Sequence, residues 1–219
     1  MTPTEPLIRW AWIADHLGDI WQRLIEHLTL TGIAVGVGLL ISFGLSLLIR
    51  RHARFYDPVS WIAGVLYTIP SLALFALLIP FTGLSLLTAE IGLVSYTLLI
   101  LVRAIVGGLQ SVPADVRETA LALGYSPSQL FWRVELPLAL PVVVAGLRVA
   151  TIATIGLTTV TALIGQGGLG FFILEGLQRF FSTPLIVGAT LSVALAVVAD
   201  GALVLLQHWL TPWAVTSEE

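Results

Sequence analysis

The chain has 219 residues, 57% of them hydrophobic and only 11% charged, with a formal net charge of −3. A soluble domain carries about 25% charged residues, so a mean hydropathy of +0.98 excludes that class. The absence of cysteine also excludes disulfides, thiolate zinc sites and thiol chemistry.

Residues 1–27 lack the basic n-region, short apolar core and small-residue cleavage site of a signal peptide. Leu7, Trp10, Ile13, Leu17, Ile20, Leu24 and Leu28 recur at three- and four-residue spacing, with Asp15, Asp19, Gln22, Arg23 and Glu26 between them. That pattern predicts an amphipathic helix. Trp10, Trp12 and Trp21 suit a position at the headgroup level. A helix packed on the rest of the bundle fits equally well.

Five apolar stretches of bilayer-spanning length follow, at about 28–49, 58–80, 89–110, 138–164 and 185–210. The fold class read from them is all-α, a polytopic membrane protein with five transmembrane helices. The first span carries Gly32-x-x-x-Gly36, a pattern that allows close helix contact. The second is interrupted by Thr68-Ile69-Pro70-Ser71, and Pro70 removes a backbone bond, which predicts a kink. No internal repeat is visible, which argues against a carrier built from two halves in one chain.

Every basic residue is arginine, and placement says more than the net charge. Arg50, Arg51 and Arg54 follow the first span, the 81–88 loop has no basic residue, and Arg117 and Arg133 follow the third. Cytoplasmic loops carry the basic excess. The 50–57 and 111–137 loops are therefore expected inside, with the N-terminus outside and the C-terminus cytoplasmic.

The 111–137 loop is unusual for so oily a chain. Ser111-Val112-Pro113 reads as a helix start, and Gly124 as a left-handed C-terminal cap. Ser126-Pro127-Ser128-Gln129 has the capping-box pattern of a second helix, expected to end before Pro137. The prediction is two short helices joined at a glycine in an L. Leu130, Phe131 and Val134 share a face of the second, with Tyr125 and Trp132 nearby.

The fourth span carries Thr151, Thr154, Thr158 and Thr161 after Arg148, all on one helical face. Such a stripe must face protein or a water-filled path. It can serve helix packing, with each hydroxyl bonded to its own backbone, or line a substrate path. Tyr67, Pro70 and Ser71 at the proline interruption are further path candidates. Arg148 and Asp200 lie at about equal depth, roughly 15 Å from the cytoplasmic ends of the fourth and fifth spans, and are candidates for a buried ion pair. Arg103 is a rival partner for Asp200.

Gly165-x-Gly167-x-x-Gly170 satisfies a nucleotide-binding pattern but follows a span, not a strand, so no nucleotide site is expected. A flexible exit on the outer side is the better reading. Beyond it, Glu175, Gln178 and Arg179 share a face of an expected interfacial or re-entrant helix. His16, His27, His52 and His208 are scattered, with no metal-ligand spacing, and no catalytic set lies within a span. No metal, cofactor or nucleic acid is expected. An intramembrane hydrolase and an ion-coupled secondary carrier are alternative classes for such a chain.

Glu118-Thr119-Ala120-x-x-x-Gly124, nine residues, then Val134-Glu135-Leu136-Pro137 resembles the EAA motif of ABC importer permeases. The departures are Thr119 for alanine and Val134 for isoleucine. The stretches 67–80, 135–148 and 163–170 resemble osmoprotectant permeases, which import glycine betaine, choline, carnitine or related solutes. The likeness covers most of residues 28–210, and methionine-importer permeases share its five-span plan.

The resemblance implies a type I permease of a bacterial inner-membrane importer. Its partners would be two cytoplasmic ATPases, a second copy or a sister permease, and an external substrate-binding protein. ATP hydrolysis would belong to the partner, and this chain would not be an enzyme. It implies an ATPase-coupling role for Glu118, Thr119, Ala120, Gly124, Tyr125, Leu130, Val134, Leu136 and Pro137. The implied organisation is an amphipathic segment at 1–27, a permease domain at 28–210 with the coupling loop at 111–137, and a cytoplasmic tail at 211–219. At this length a fused binding domain is not expected. An importer for another small solute, such as an amino acid, is the alternative.

Overall fold

The computed structural model describes residues 6–213, and the regular elements among them are helices. Residues 1–5, and the expected tail from 214 on, lie outside the described residues. The helices are α1 (Trp10–Asp15), α2 (Leu17–Arg51), α3 (Tyr56–Thr68), α4 (Ser71–Thr82), α5 (Leu86–Gln110), α6 (Ala114–Ala122), α7 (Pro127–Leu130), α8 (Leu136–Val160), α9 (Gly170–Arg179) and α10 (Ser182–Leu210). Four segments are long and apolar enough to cross a membrane: α2, α5, α7–α8 together, and α10. The bent pair α3–α4 makes the fifth.

The crossing of α3–α4 follows from what its ends touch. Ile49, Arg50, Tyr56, Leu109, Gln110 and Glu135 line one cavity of about 560 Å³, so the ends of α2 and α5 and the starts of α3 and α8 share one end of the bundle. Leu30, Ala34, Phe75, Ala89, Leu93 and Ile164 form a core cluster at the other end. The pair α3–α4 therefore runs the length of the bundle against α5 and links, in sequence, the parallel helices α2 and α5, which pack directly on each other. Half of the α5 span is buried inside the protomer against 6% for α10, which makes α5 the central helix and α10 peripheral.

Pro70 does more than kink the second span: α3 and α4 meet at 98°. Ile69 precedes the proline and is extended, with φ −64° and ψ 127°, as the proline ring demands of its neighbour. The helix cannot continue through it. Its freed carbonyl accepts a hydrogen bond from the Tyr96 hydroxyl of α5, so the break is satisfied inside the protein.

No break falls at residue 27, where the sequence suggests a boundary. Helix α2 contains no proline and runs unbroken for 35 residues. Its N-terminal part packs on the bundle: His27 is fully buried, with Nε2 bonded to the Ile155 carbonyl of α8 at 3.0 Å. Trp12 meets Phe172 and Phe181 edge-on, and the Ser182 hydroxyl donates to the Leu7 carbonyl at 2.8 Å. The segment packs on the bundle through His27 and Trp12, while Trp10 and Trp21 stay exposed.

Close helix contact occurs, but not at the glycines expected. A Cβ on Gly32 or Gly36 would meet nothing within 4 Å. A Cβ on Gly146 of α8 would lie 2.1 Å from the Ala104 Cβ of α5, and one on Gly38 would lie 1.9 Å from the Thr97 hydroxyl. The spacing motif identified small residues; the rotation of α2 turned Gly32 and Gly36 away from its neighbours.

The exit from α8 is a packed turn and not a loose linker. Gly167 and Gly168 hold φ of +119° and +48°, a region that favours glycine. A Cβ on Gly168 would lie 2.6 Å from the His27 backbone nitrogen. Backbone shape and space both require glycine there.

Candidate functional site

The 111–137 loop forms the expected L. Helix α6 ends in a Schellman motif: Gly124 has φ +84°, its N–H donates to the Leu121 carbonyl at 2.9 Å, and the Tyr125 N–H donates to Ala120 at 3.1 Å. The capping box is complete. The Ser126 hydroxyl accepts from the Gln129 N–H at 3.3 Å, and the Gln129 Oε1 accepts from the Ser126 N–H at 2.8 Å.

The second arm does not stop before Pro137. Helix α7 widens into a π-helical turn over Phe131–Glu135 and continues as α8. A proline ring crowds the carbonyl four residues back and offers no N–H. The wider turn directly before Pro137 accommodates both defects, so the chain stays helical from Pro127 to Ile164.

Continuity redirects the side chains. Leu130 and Phe131 are buried, and Phe131 packs with Ile105, Leu109 and Ala139 in the inner core. Leu130 thus turns toward the bundle and leaves little free surface in the protomer. Ala120 is buried too, while Glu118, Thr119 and Gly124 are exposed and Tyr125, Val134, Leu136 and Pro137 are half-buried. The sequence reading passed over Leu121 and Leu123, which are 52% and 73% exposed. Two leucines at the end of α6, just before Gly124, were the available signal.

It also passed over the most heavily engaged charge in the loop. Glu135 is 8% exposed and sits between two arginines: Arg50 Nε donates to its Oε2 at 2.6 Å, and Arg117 Nε lies 3.3 Å from Oε1. Arg117 also donates through Nη2 to the Leu109 carbonyl at the end of α5, and the Arg50 guanidinium lies 4.9 Å from the Phe131 ring centroid. A carboxylate beside a Leu-Pro at the mouth of a span was the signal in the sequence. Its partners, 85 and 18 positions away, were not readable there.

The threonine stripe turns inward. Thr154, Thr158 and Thr161 are fully buried, and their hydroxyls donate to the carbonyls of Ala150, Thr154 and Thr158 at 2.7–2.8 Å. Thr158 also meets Thr31 of α2 at 3.3 Å. None of the three opens onto a path in this structure. Thr151 is half-buried and donates to Leu147 at 2.8 Å.

At the α3–α4 break, Tyr67 and Pro70 are exposed and Ser71 is half-buried. The Tyr67 ring stands edge-on to Tyr96, with centroids 5.8 Å apart. Arg148 reaches Asp200 through two hydrogen bonds, at 2.7 and 2.9 Å, while Arg103 is exposed. Glu175 and Arg179 pair along α9 at 3.0 Å. Both carboxylate oxygens of Glu90, near the start of α5, are buried with no hydrogen-bond partner among the described residues. Among those residues no group of histidines and carboxylates could hold a metal ion.

Residues 29–212 match the family described as "Binding-protein-dependent transport system inner membrane component". The chain is 38% identical to the osmoprotectant import permease protein OsmW of Salmonella typhimurium, over 92% of this chain and 96% of that one. It is 34% identical to the choline transport system permease protein OpuBB of Bacillus subtilis, over 89% and 90% of the two chains. Among solved structures, the inward-facing MetNI methionine ABC transporter superposes with a TM-score of 0.81, covering 90% of this chain and 98% of that one at 23% identity, which bears on the fold alone. This chain belongs to the inner-membrane component family of binding-protein-dependent transport systems: it is a permease subunit of an ABC importer, a transport protein and not an enzyme.

Proposed function

We propose that the solute is a quaternary-amine osmoprotectant such as glycine betaine, choline or carnitine. The observation that carries this reading is the 38% identity, across nearly the whole of both chains, to a protein named as an osmoprotectant import permease. The fold supports an importer permease of any small solute, so it does not favour this substrate over an amino acid. Around this chain the proposal sets two ATPases, a second permease and an external binding protein. The loops 50–57 and 111–137 face the cytoplasm and the N-terminus faces outward. Residues 114–135 dock on the ATPase through the exposed outer side of α6, with Glu118, Leu121 and Leu123. Of the path candidates, Tyr67, Pro70, Ser71 and Thr151 retain surface for that role.

The test is reconstitution of the complete complex in liposomes with its binding protein, followed by ATP-dependent accumulation of labelled glycine betaine, choline, carnitine and methionine. Accumulation of at least one quaternary amine, blocked by vanadate, is the expected result. Accumulation of methionine alone would sink the substrate reading. Uptake driven by an ion gradient, insensitive to vanadate, would sink the ATP-driven mechanism.

A further inference from the structure

Glu135 ties together several parts of the bundle. Its carboxylate stands at the foot of α8, within the π-helical turn. Through Arg50 it holds the last turn of α2, at 2.6 Å. Through Arg117 it holds α6, at 3.3 Å, and Arg117 in turn holds the end of α5 by the Leu109 carbonyl. One carboxylate therefore connects the inner ends of three spans to the first arm of the L.

The direction of neighbouring side chains gives the connection a use. Arg117 points into the bundle and bonds there, while Glu118, the next residue, is exposed on the outer side of the loop. A force applied at Glu118 acts one residue from the ionic node. The second arm enters α8 without a break, so it moves that span directly. The first arm is joined to Gly124 at one end and to Val112-Pro113 at the other, and its side-chain grip on α2 and α5 runs through Arg117. The buried carboxylate accepts a hydrogen bond from Arg50 at Oε2 and faces Arg117 at ion-pair distance at Oε1, so the two arginines together fix its arrangement, and leaving either one weakens the pairing of a poorly solvated charge. Such a node transmits displacement, where a single greasy contact would slide.

We propose that Glu135, held by Arg50 and Arg117, is the positioning residue that carries movement of the coupling loop into α2 and α5. The inference rests on the coupling role proposed for residues 114–135. It predicts that loss of the node separates ATP hydrolysis from transport without preventing assembly.

The experiment uses the complete complex in proteoliposomes. Complex yield, binding-protein-stimulated ATP hydrolysis and solute uptake are measured for Glu135→Gln, Arg50→Gln and Glu135→Asp. Arg51→Gln, an exposed neighbour at the same helix end, serves as the control. In the two glutamine variants uptake per ATP should fall on the order of tenfold, at normal yield. Glu135→Asp should recover part of it, and the Arg51 variant should keep the wild-type ratio. An unchanged ratio in Glu135→Gln overturns the node. So does a parallel loss of yield, hydrolysis and uptake, which marks a merely structural ion pair. Glu118→Lys is run alongside. If it uncouples while Glu135→Gln does not, the loop couples but the node does not carry it; if neither uncouples, the coupling role itself fails.

Discussion

Arg148 of α8 and Asp200 of α10 face each other in a two-point ion pair, with Nε 2.7 Å from Oδ1 and Nη2 2.9 Å from Oδ2. Their side chains are 31% and 30% exposed on the isolated protomer. A charge pair partly open at mid-membrane depth belongs against protein or water and not lipid. Because α10 is otherwise peripheral, the pair is a specific tether for it. Removing one partner strands the other. Arg148→Ala or Asp200→Ala alone should therefore lower complex yield more than the double variant does, in a double-mutant cycle read by yield and uptake. Strictly additive losses would show that the two charges act independently.

The shape of the loop depends on Gly124. Alanine at a left-handed φ of +84° costs about 1–2 kcal/mol, so Gly124→Ala should leave transport measurable but weakened. Proline fixes φ near −65° and removes the N–H that Leu121 accepts. Gly124→Pro should abolish coupled uptake while the permease still inserts and assembles. Wild-type uptake from both variants would mean the L shape is dispensable.

Orientation is testable because there is no native cysteine. Ser85 is a poor labelling site, since its hydroxyl caps α5 at the Thr88 N–H. Leu84, 67% exposed in the same turn, is better, with exposed Ala53 as its counterpart. An impermeant thiol reagent added to intact cells should label Leu84→Cys and spare Ala53→Cys. The reverse pattern would invert the topology.

The stripe on α8 gives a separate expectation. Valine at Thr154 or Thr158 keeps the shape and removes a hydroxyl bonded within the helix. Each loss should cost about 1 kcal/mol of stability and leave the apparent affinity of uptake unchanged. A large shift in apparent affinity for the solute would return these threonines to the path.

Packing of the central helix rests on Gly146, whose absent side chain lets Ala104 approach. Gly146→Val forces α5 and α8 apart, with an overpacking penalty of about 1–3 kcal/mol or more. Thermal unfolding of the purified complex should shift down markedly. Gly36→Val, facing open space in the protomer, should not disturb α2–α5 packing. Equal losses would place Gly36 at a contact made only in the assembly.

The sequence by itself determined what short-range physics controls. Apolar length specified the spans, Pro70 the interruption of the second, and the Ser126–Gln129 capping box and Gly124 the L of the loop; each depends on neighbours within a few residues. The order of the helices around α5, and their rotation, came only with the tertiary structure. Rotation turned Thr154, Thr158 and Leu130 inward, took Gly32 and Gly36 off the α2–α5 contact that Gly38 makes, and gave Asp200 to Arg148 and not to Arg103. It also brought Arg50 to Glu135 across 85 positions. The physical reason is that a periodic stripe says a face is buried but not against what. A charge at the foot of a helix says that it needs a partner, and packing alone chooses which one arrives.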